Sequence, residues 1–281
     1  MSGGVLPNAF IVGAQKSGTT ALAAHMGEHP DVFVCNPKEP HFFSRNYHLG
    51  QEWYERLFAP GESKPVRLEG STTYTMYPMG GDCAGRIAAA VPDARIIYIL
   101  RDPVDRIRSA YHHALSTGAE GRELSRAVLF DARYVYTSSY ARQLERYLEV
   151  FERDQILCLR FEDFNADPAG VIDTTLQFLG LDPGWRPRDL GRRLNESRDR
   201  PRAPRSWWRR TRKAAQGLPT PWVDRQLQRL NPSSSMLSRP IRDEEIGMPD
   251  LVREVLTRLL EDDLTRLRDL LGPEWAWPSR A

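Results

Sequence analysis

One stretch constrains this chain more than any other. In NAFIVGAQKSGTTALAAHM, starting at Asn8, an apolar run stops at a glycine and gives way to small residues and then a helical pattern. A short apolar run bounded by glycine reads as a strand buried on both faces. The unit is therefore strand, tight turn, helix, with the helix reaching as far as Pro30. The alternation repeats. ARIIYIL (94–100) is a second buried strand, and DPVDRIRSAYHHAL follows as a helix with Asp102 as N-cap and Pro103 at its first position. QILCLRF (155–161) is a third strand, followed by the capped helix DPAGVIDTTLQFLG ending at Gly180. VRLEGS (66–71) and DVFV (31–34) supply further strands. SSYARQLERYLEVFER is amphipathic through Tyr140, Leu144, Tyr147, Leu148 and Phe151. Such alternation predicts an α/β protein with a central parallel sheet of four to five strands flanked by helices. Ligands of these sheets bind at the carboxyl ends of the strands. The loops after FIV and after YIL both lie there.

The first of these loops, Gly13 to Thr20, almost matches the phosphate-cradling pattern G-x-x-x-x-G-K-[ST]. Gly13, Gly18 and Thr20 are in place, but Thr19 stands where the lysine belongs, and a lysine sits three residues earlier at Lys16. A glycine turn opening a helix aims backbone N–H groups and the positive helix end at one point, which is an anion site. Moving the lysine to mid-loop keeps that cradle and makes Lys16 the local cation. A diphosphate-like group handled without a metal suits it.

Charge is unevenly spread. Residues 186 to 213 hold eleven Arg and one Lys against Asp189, Glu196 and Asp199, a net of +9, leaving −7 for the remainder of a chain whose total is +2. Of 39 basic residues only Lys16, Lys38, Lys64 and Lys213 are lysines. Two of those four fall in stretches that look chemical. Three widely spaced cysteines, Cys35, Cys83 and Cys158, fit neither a disulfide framework nor a zinc pattern, so a reducing cytoplasm is expected. No apolar run is long enough for a bilayer span and the first ten residues do not form a signal peptide.

FIVGAQKSGTTAL resembles the 5′-phosphosulfate loop of sulfotransferases that use 3′-phosphoadenosine 5′-phosphosulfate (PAPS) and release 3′-phosphoadenosine 5′-phosphate (PAP). The resemblance runs in order through residues 8–182. It implies a P-loop-like sulfotransferase domain over 1–281, with the PAPS-binding core at 8–182, an arginine-rich lid or acceptor-side segment at 186–246 and a helical part at 247–281. YILRDPVDRIRSAYHH is similar to the family's 3′-phosphate segment, which implies that Arg101 and Ser109 hold that phosphate. Lys16, Ser17, Gly18, Thr19 and Thr20 are implied on the 5′ side, with Tyr140, Arg200 and Arg202 as further donor contacts. A guanidinium fork matches a phosphate, and selecting a 3′-phosphate would separate PAPS from ATP. The implied reaction is metal-independent sulfuryl transfer to an acceptor hydroxyl, and no metal site is expected.

Such a transfer needs a base for the acceptor proton. NPKEPHFFS offers two candidates. By resemblance to the heparan-type branch, Glu39 of EPHFF is the base; by resemblance to the small-molecule branch, His41 is the alternative. The chain departs from the heparan-type pattern twice. Gly70 stands where that branch carries a lysine, and the arginine-rich segment replaces its disulfide-bearing loop. Both departures suit a bacterial-type cytoplasmic enzyme. Two rival functions remain open to the residues alone, a P-loop kinase-like phosphotransferase and a non-catalytic PAPS- or PAP-binding protein. Glycan, lipid and natural-product acceptors all fit. Nucleic acid is not expected as a partner, because the basic segment has only Ser206-Trp207-Trp208 as an aromatic element. The sequence sets no oligomeric state. MPDLVREVLTRLLEDDLTRLRDLLG predicts a last helix striped by Leu251, Val255, Leu259, Leu267 and Leu270, broken near Glu261-Asp262 and packed on the core.

Overall fold

The computed structural model describes residues 4–190 and 240–277. Five parallel strands form one sheet: β1 (Ala9–Gly13), β2 (Val32–Val34), β3 (Val66–Glu69), β4 (Arg95–Leu100) and β5 (Ile156–Arg160). Their spatial order is β2-β3-β1-β4-β5. Phe10 pairs with Glu69 on one side and Ile96 on the other, and Tyr98 pairs with Cys158. The chain leaves β1 toward β2, then crosses from β3 to β4 on the opposite flank of β1. That reversal opens a crevice at the carboxyl end of β1, the position at which such sheets receive ligands.

The helices in chain order are α1 (Thr19–Met26), α2 (Gln51–Phe58), α3 (Cys83–Ala90), α4 (Pro103–Ser116), α5 (Leu124–Phe130), α6 (Ala132–Ser138), α7 (Tyr140–Leu148), α8 (Phe161–Ala166), α9 (Pro168–Phe178), α10 (Asp243–Ile246) and α11 (Asp250–Leu271). α1 stops at Met26 with Gly27 as its C-cap, before Pro30 is reached. Asp167 caps α9 by accepting from the Gly170 amide, as expected of a residue before a first-turn proline.

Two compact units emerge. The first comprises, of the described residues, 4–103, 136–190 and 260–277 and contains the whole five-stranded sheet. Strand side chains alternate between its two faces. Phe10, Val12, Ile96, Tyr98 and Leu100 meet Tyr54 and Phe58 of α2, Ile87 of α3 and Leu144 and Tyr147 of α7. Ala9, Ile11, Ile97 and Ile99 meet Leu22 and Met26 of α1 and Ile172 and Leu176 of α9. The second unit comprises, of the described residues, 104–135 and 240–259. Within it Glu120, Arg122, Asp131 and Arg133 form a chain of ion pairs, with Arg122 Nη2 2.6 Å from Glu120 Oε2 and 3.0 Å from Asp131 Oδ2. Arg122 and its backbone neighbours hold the Glu120 carboxyl down to about 2 against the effect of burial.

The expected break in the last helix is absent. α11 runs unbroken from Asp250 to Leu271, and its buried positions are Val252, Leu256, Leu260, Asp263 and Leu267. Leu251 and Leu259, placed on the buried stripe from the sequence, are exposed. Asp263 explains the shift of face. Its carboxylate accepts from the Ala141 and Arg142 amides at the start of α7, both at 3.0 Å, so an acidic residue takes a core-facing position. Glu261 and Asp262 face solvent and interrupt nothing. Among the described residues, no helix is long and apolar enough to cross a membrane.

Candidate active site

The loop after β1 turns back on itself because Lys16 and Gly18 both adopt positive φ, 73° and 87°. Gly18 is the N-cap of α1, and no side chain caps that helix, so its first amides open outward with the positive helix end. A Cβ on Gly18 would come within 2.9 Å of the Phe161 ring, which closes the cradle from behind. Gly13 is equally constrained: a Cβ there would collide with the Thr75 hydroxyl, which donates to the Val12 carbonyl at 3.0 Å. Ser17 is fully buried, and its hydroxyl has no hydrogen-bond partner among the described residues. A buried polar group without a partner is costly. Ser17 Oγ, the α1 amides and Lys16 thus form a donor set suited to an anionic phosphate-type group.

The carboxyl end of β4 supplies the second cation. Arg101 Nη1 donates to the Lys16 carbonyl at 3.2 Å, and its guanidinium carbon lies 4.8 Å from the Phe161 ring centroid. Stacking on an aromatic face holds a planar guanidinium while leaving edge donors available. Tyr140 is fully buried and its hydroxyl donates to the Arg101 carbonyl at 2.9 Å, so it acts on this corner by fixing the Arg101 backbone. The Asp102 amide donates to Glu162 Oε1 at 2.9 Å, and Trp277 Nε1 donates to Glu162 Oε2 at 3.1 Å. Ser109 is half-buried on α4 and belongs to the second unit.

On the other flank of β1, the segment after β2 runs beside the end of β3. Lys38 Nζ lies 3.0 Å from Glu39 Oε1 and 3.3 Å from Thr20 Oγ1 in the first turn of α1. Glu39 Oε2 faces His41 Nε2 at 3.5 Å and Thr72 Oγ1 at 3.5 Å. His41 has φ 51°, and its backbone amide donates to Ser71 Oγ at 3.0 Å while Nδ1 meets Thr73 Oγ1 at 2.9 Å. Burial lowers its pKa to about 4 against the opposing pull of Glu39, and the neighbouring Arg45 and Lys38 lower it as well. The imidazole is therefore neutral at neutral pH. Beneath this corner Glu69, the last residue of β3, is fully buried and accepts from the Tyr54 hydroxyl. Burial, aided by the charge of Glu39, raises its carboxyl to about 7 despite the hydroxyls of Ser71, Tyr54 and Tyr74.

The structure brings Lys16 and Arg101 together across 85 residues, and Thr20 and Glu39 together through Lys38. Arg200 and Arg202 lie outside the described residues. Sequence reasoning passed over Phe161 and Trp277, and marked Lys38 only as one of four lysines in an arginine-rich chain, lying in a stretch that looks chemical. Glu69 was hidden inside an apolar strand pattern.

The family model for the sulfotransferase domain matches residues 6–192. Heparan sulfate glucosamine 3-O-sulfotransferase 3A1 of Mus musculus is 35% identical over 188 residues, covering 63% of this chain and 46% of that protein. The chain therefore spans about half the length of such curated relatives. The crystal structure of a sulfotransferase from Alicyclobacillus acidocaldarius superposes with a TM-score of 0.68 at 27% identity, covering 96% of this chain and 99% of the other. Mouse sulfotransferase SULT7A1 complexed with PAP shares the fold, with a TM-score of 0.52, 17% identity, and coverage of 96% and 87%. The family match spans the sheet, the Lys16 loop and Arg101, and on that ground the chain belongs to the PAPS-dependent sulfotransferase family.

Proposed function

We propose that this chain transfers the sulfuryl group of PAPS to a hydroxyl of an acceptor, without a metal ion, and that Glu39 is the base. The observation that carries the reading is the approach of Arg101 to the Lys16 loop, 3.2 Å from guanidinium to carbonyl. Two phosphate-type segments far apart in the chain meet at one strand-end crevice. In this reading Ser17, Gly18, Thr19 and Thr20 bind the 5′ end through amides and hydroxyls, and Arg101 with Ser109 binds the 3′-phosphate. Lys16 stabilises negative charge on the oxygen that leaves with PAP.

The balance of the step is simple. The acceptor oxygen bonds to sulfur, the bond from sulfur to the phosphate oxygen breaks, and the acceptor proton passes to a protein base. Glu39 is favoured over His41 on two grounds. The His41 ring is engaged at Nδ1 by Thr73 Oγ1 and flanked at Nε2 by Glu39 itself. The Glu39 side chain is 31% exposed, open to an incoming hydroxyl, and lies one lysine away from the loop. The relatives' names make a sugar hydroxyl the first acceptor to test. Three free cysteines and the likeness to the Alicyclobacillus protein support a bacterial-type enzyme of a reducing, cytoplasmic compartment.

The experiment is to incubate the protein with radiolabelled PAPS, with chelator present, against sugar, lipid and aromatic alcohols. Label transferred to a hydroxyl supports the reading. A protein that binds ADP as well as PAP and moves no label to any acceptor refutes it.

A further inference from the structure

Lys38 has no assigned role in that scheme, yet it touches both the loop helix and the candidate base. Its ammonium sits 3.3 Å from Thr20 Oγ1 and 3.0 Å from Glu39 Oε1, with the side chain 23% exposed. The Lys38 carbonyl accepts from the Gly70 amide at 3.4 Å, so the residue is anchored on the end of β3. The space its side chain occupies is the space above Gly70. A Cβ at position 70 would stand 3.2 Å from Lys38 Cε and 3.8 Å from Nζ. Gly70 lacks the positive φ that would exclude a side chain. The Lys38 side chain thus lies across the face of position 70.

The charges make this placement consequential. In the free protein the ammonium is balanced by Glu39. When Glu39 takes the acceptor proton it loses its charge, and the nearest remaining anion would be the sulfuryl group held at the Thr20 end of the loop. We propose that Lys38 is a second donor-binding cation: its ammonium contacts the sulfuryl oxygens of bound PAPS and exchanges its partner from Glu39 to the sulfuryl group as transfer proceeds. This rests on the PAPS reading above. It also assigns Gly70 as the position that leaves room for Lys38.

PAPS and PAP differ in the sulfuryl group, which makes the pair a direct probe. Lys38→Met should weaken PAPS binding about ten- to a hundredfold, the scale of one lost charge-assisted contact, with PAP affinity within about twofold. Turnover should fall at least as far. Lys38→Arg, which keeps the charge, should retain most of the preference for PAPS. In Lys38→Ala/Gly70→Lys the ammonium enters the same space from β3, and PAPS affinity should recover about tenfold or more over Lys38→Ala. Calorimetry with each nucleotide reads the affinities, and thermal melting confirms that each variant is folded. Equal weakening of PAPS and PAP, or a folded double variant without recovery, overturns the assignment and leaves Lys38 as scaffold for the loop. Failure of the PAPS reading itself looks different: the unmodified protein would show no preference for PAP over ADP, and the Lys38 assignment would fall with it.

Discussion

Replacing Glu69 by glutamine should change how the stability of this protein responds to pH. Glu69 is fully buried, and its carboxyl is raised from 4.5 to about 7, chiefly by burial. Below about pH 4.5 both the folded and the unfolded chain hold the proton. Between 4.5 and 7 the unfolded chain releases it while the folded chain keeps it, so the folded state loses ground as pH rises. Above about 7 the loss is complete, because the folded state then carries a buried carboxylate. At about 1.4 kcal/mol per pH unit of separation, the interval caps the loss at about 3 kcal/mol. Glu69→Gln has no proton to release and should remove that slope, while its amide can still engage the Tyr54 hydroxyl. The assay is denaturant unfolding of both proteins from pH 4 to pH 9. Other titrating groups are common to both and cancel in the difference. The stability of the native chain relative to Glu69→Gln should fall by about 3 kcal/mol across that range, or roughly 6–12 °C in Tm. Parallel curves for the two proteins would refute the argument and place the Glu69 proton equilibrium at its ordinary value.

Arg101→Ala should weaken PAP about ten- to a hundredfold by calorimetry and leave the weaker ADP binding unchanged; equal losses for both would remove Arg101 from the 3′-phosphate. Lys16→Ala should cost at least about two orders of magnitude in turnover, and chelator should leave the native rate intact. Activity that collapses with EDTA and returns with Mg²⁺ would favour the kinase-like alternative. Glu39→Gln should lose roughly 10²–10⁴-fold in turnover with PAP affinity nearly unchanged. His41→Ala should lose less, and if it is the inactive variant while Glu39→Gln works, the base is the imidazole.

The sheet and the first half of the site were legible because their signals are local. Strand, glycine turn and helix follow one another within about twenty residues around Gly13, and Arg101 directly follows its own strand, just before the helix that opens at Pro103. An apolar run ending at glycine or at Arg-Asp-Pro permits few other structures, whatever the rest of the chain does. The same reading overreached on the last helix. It placed a break in the apolar stripe near Glu261-Asp262 and gave the neighbouring Asp263 no core-facing position, since no local rule says that one carboxylate will find two amides 121 and 122 residues away.

What the chain determined by itself was thus the set of strand-end loops and the chemistry each carries. Tertiary structure decided which of them meet. Lys16 lies beside Arg101 because β1 and β4 are neighbours, and Lys38 reaches Thr20 because β2 pairs with β3 and β3 with β1. Strand order and register come from burying both faces of the sheet at once, a condition on the whole chain that no single segment encodes. The same condition puts Glu69 in the core. Alternation along β3 assigns it an inward position, and only complete burial in the packed core, against the hydroxyls of Ser71, Tyr54 and Tyr74, turns an ordinary carboxylate into one that holds its proton to about pH 7.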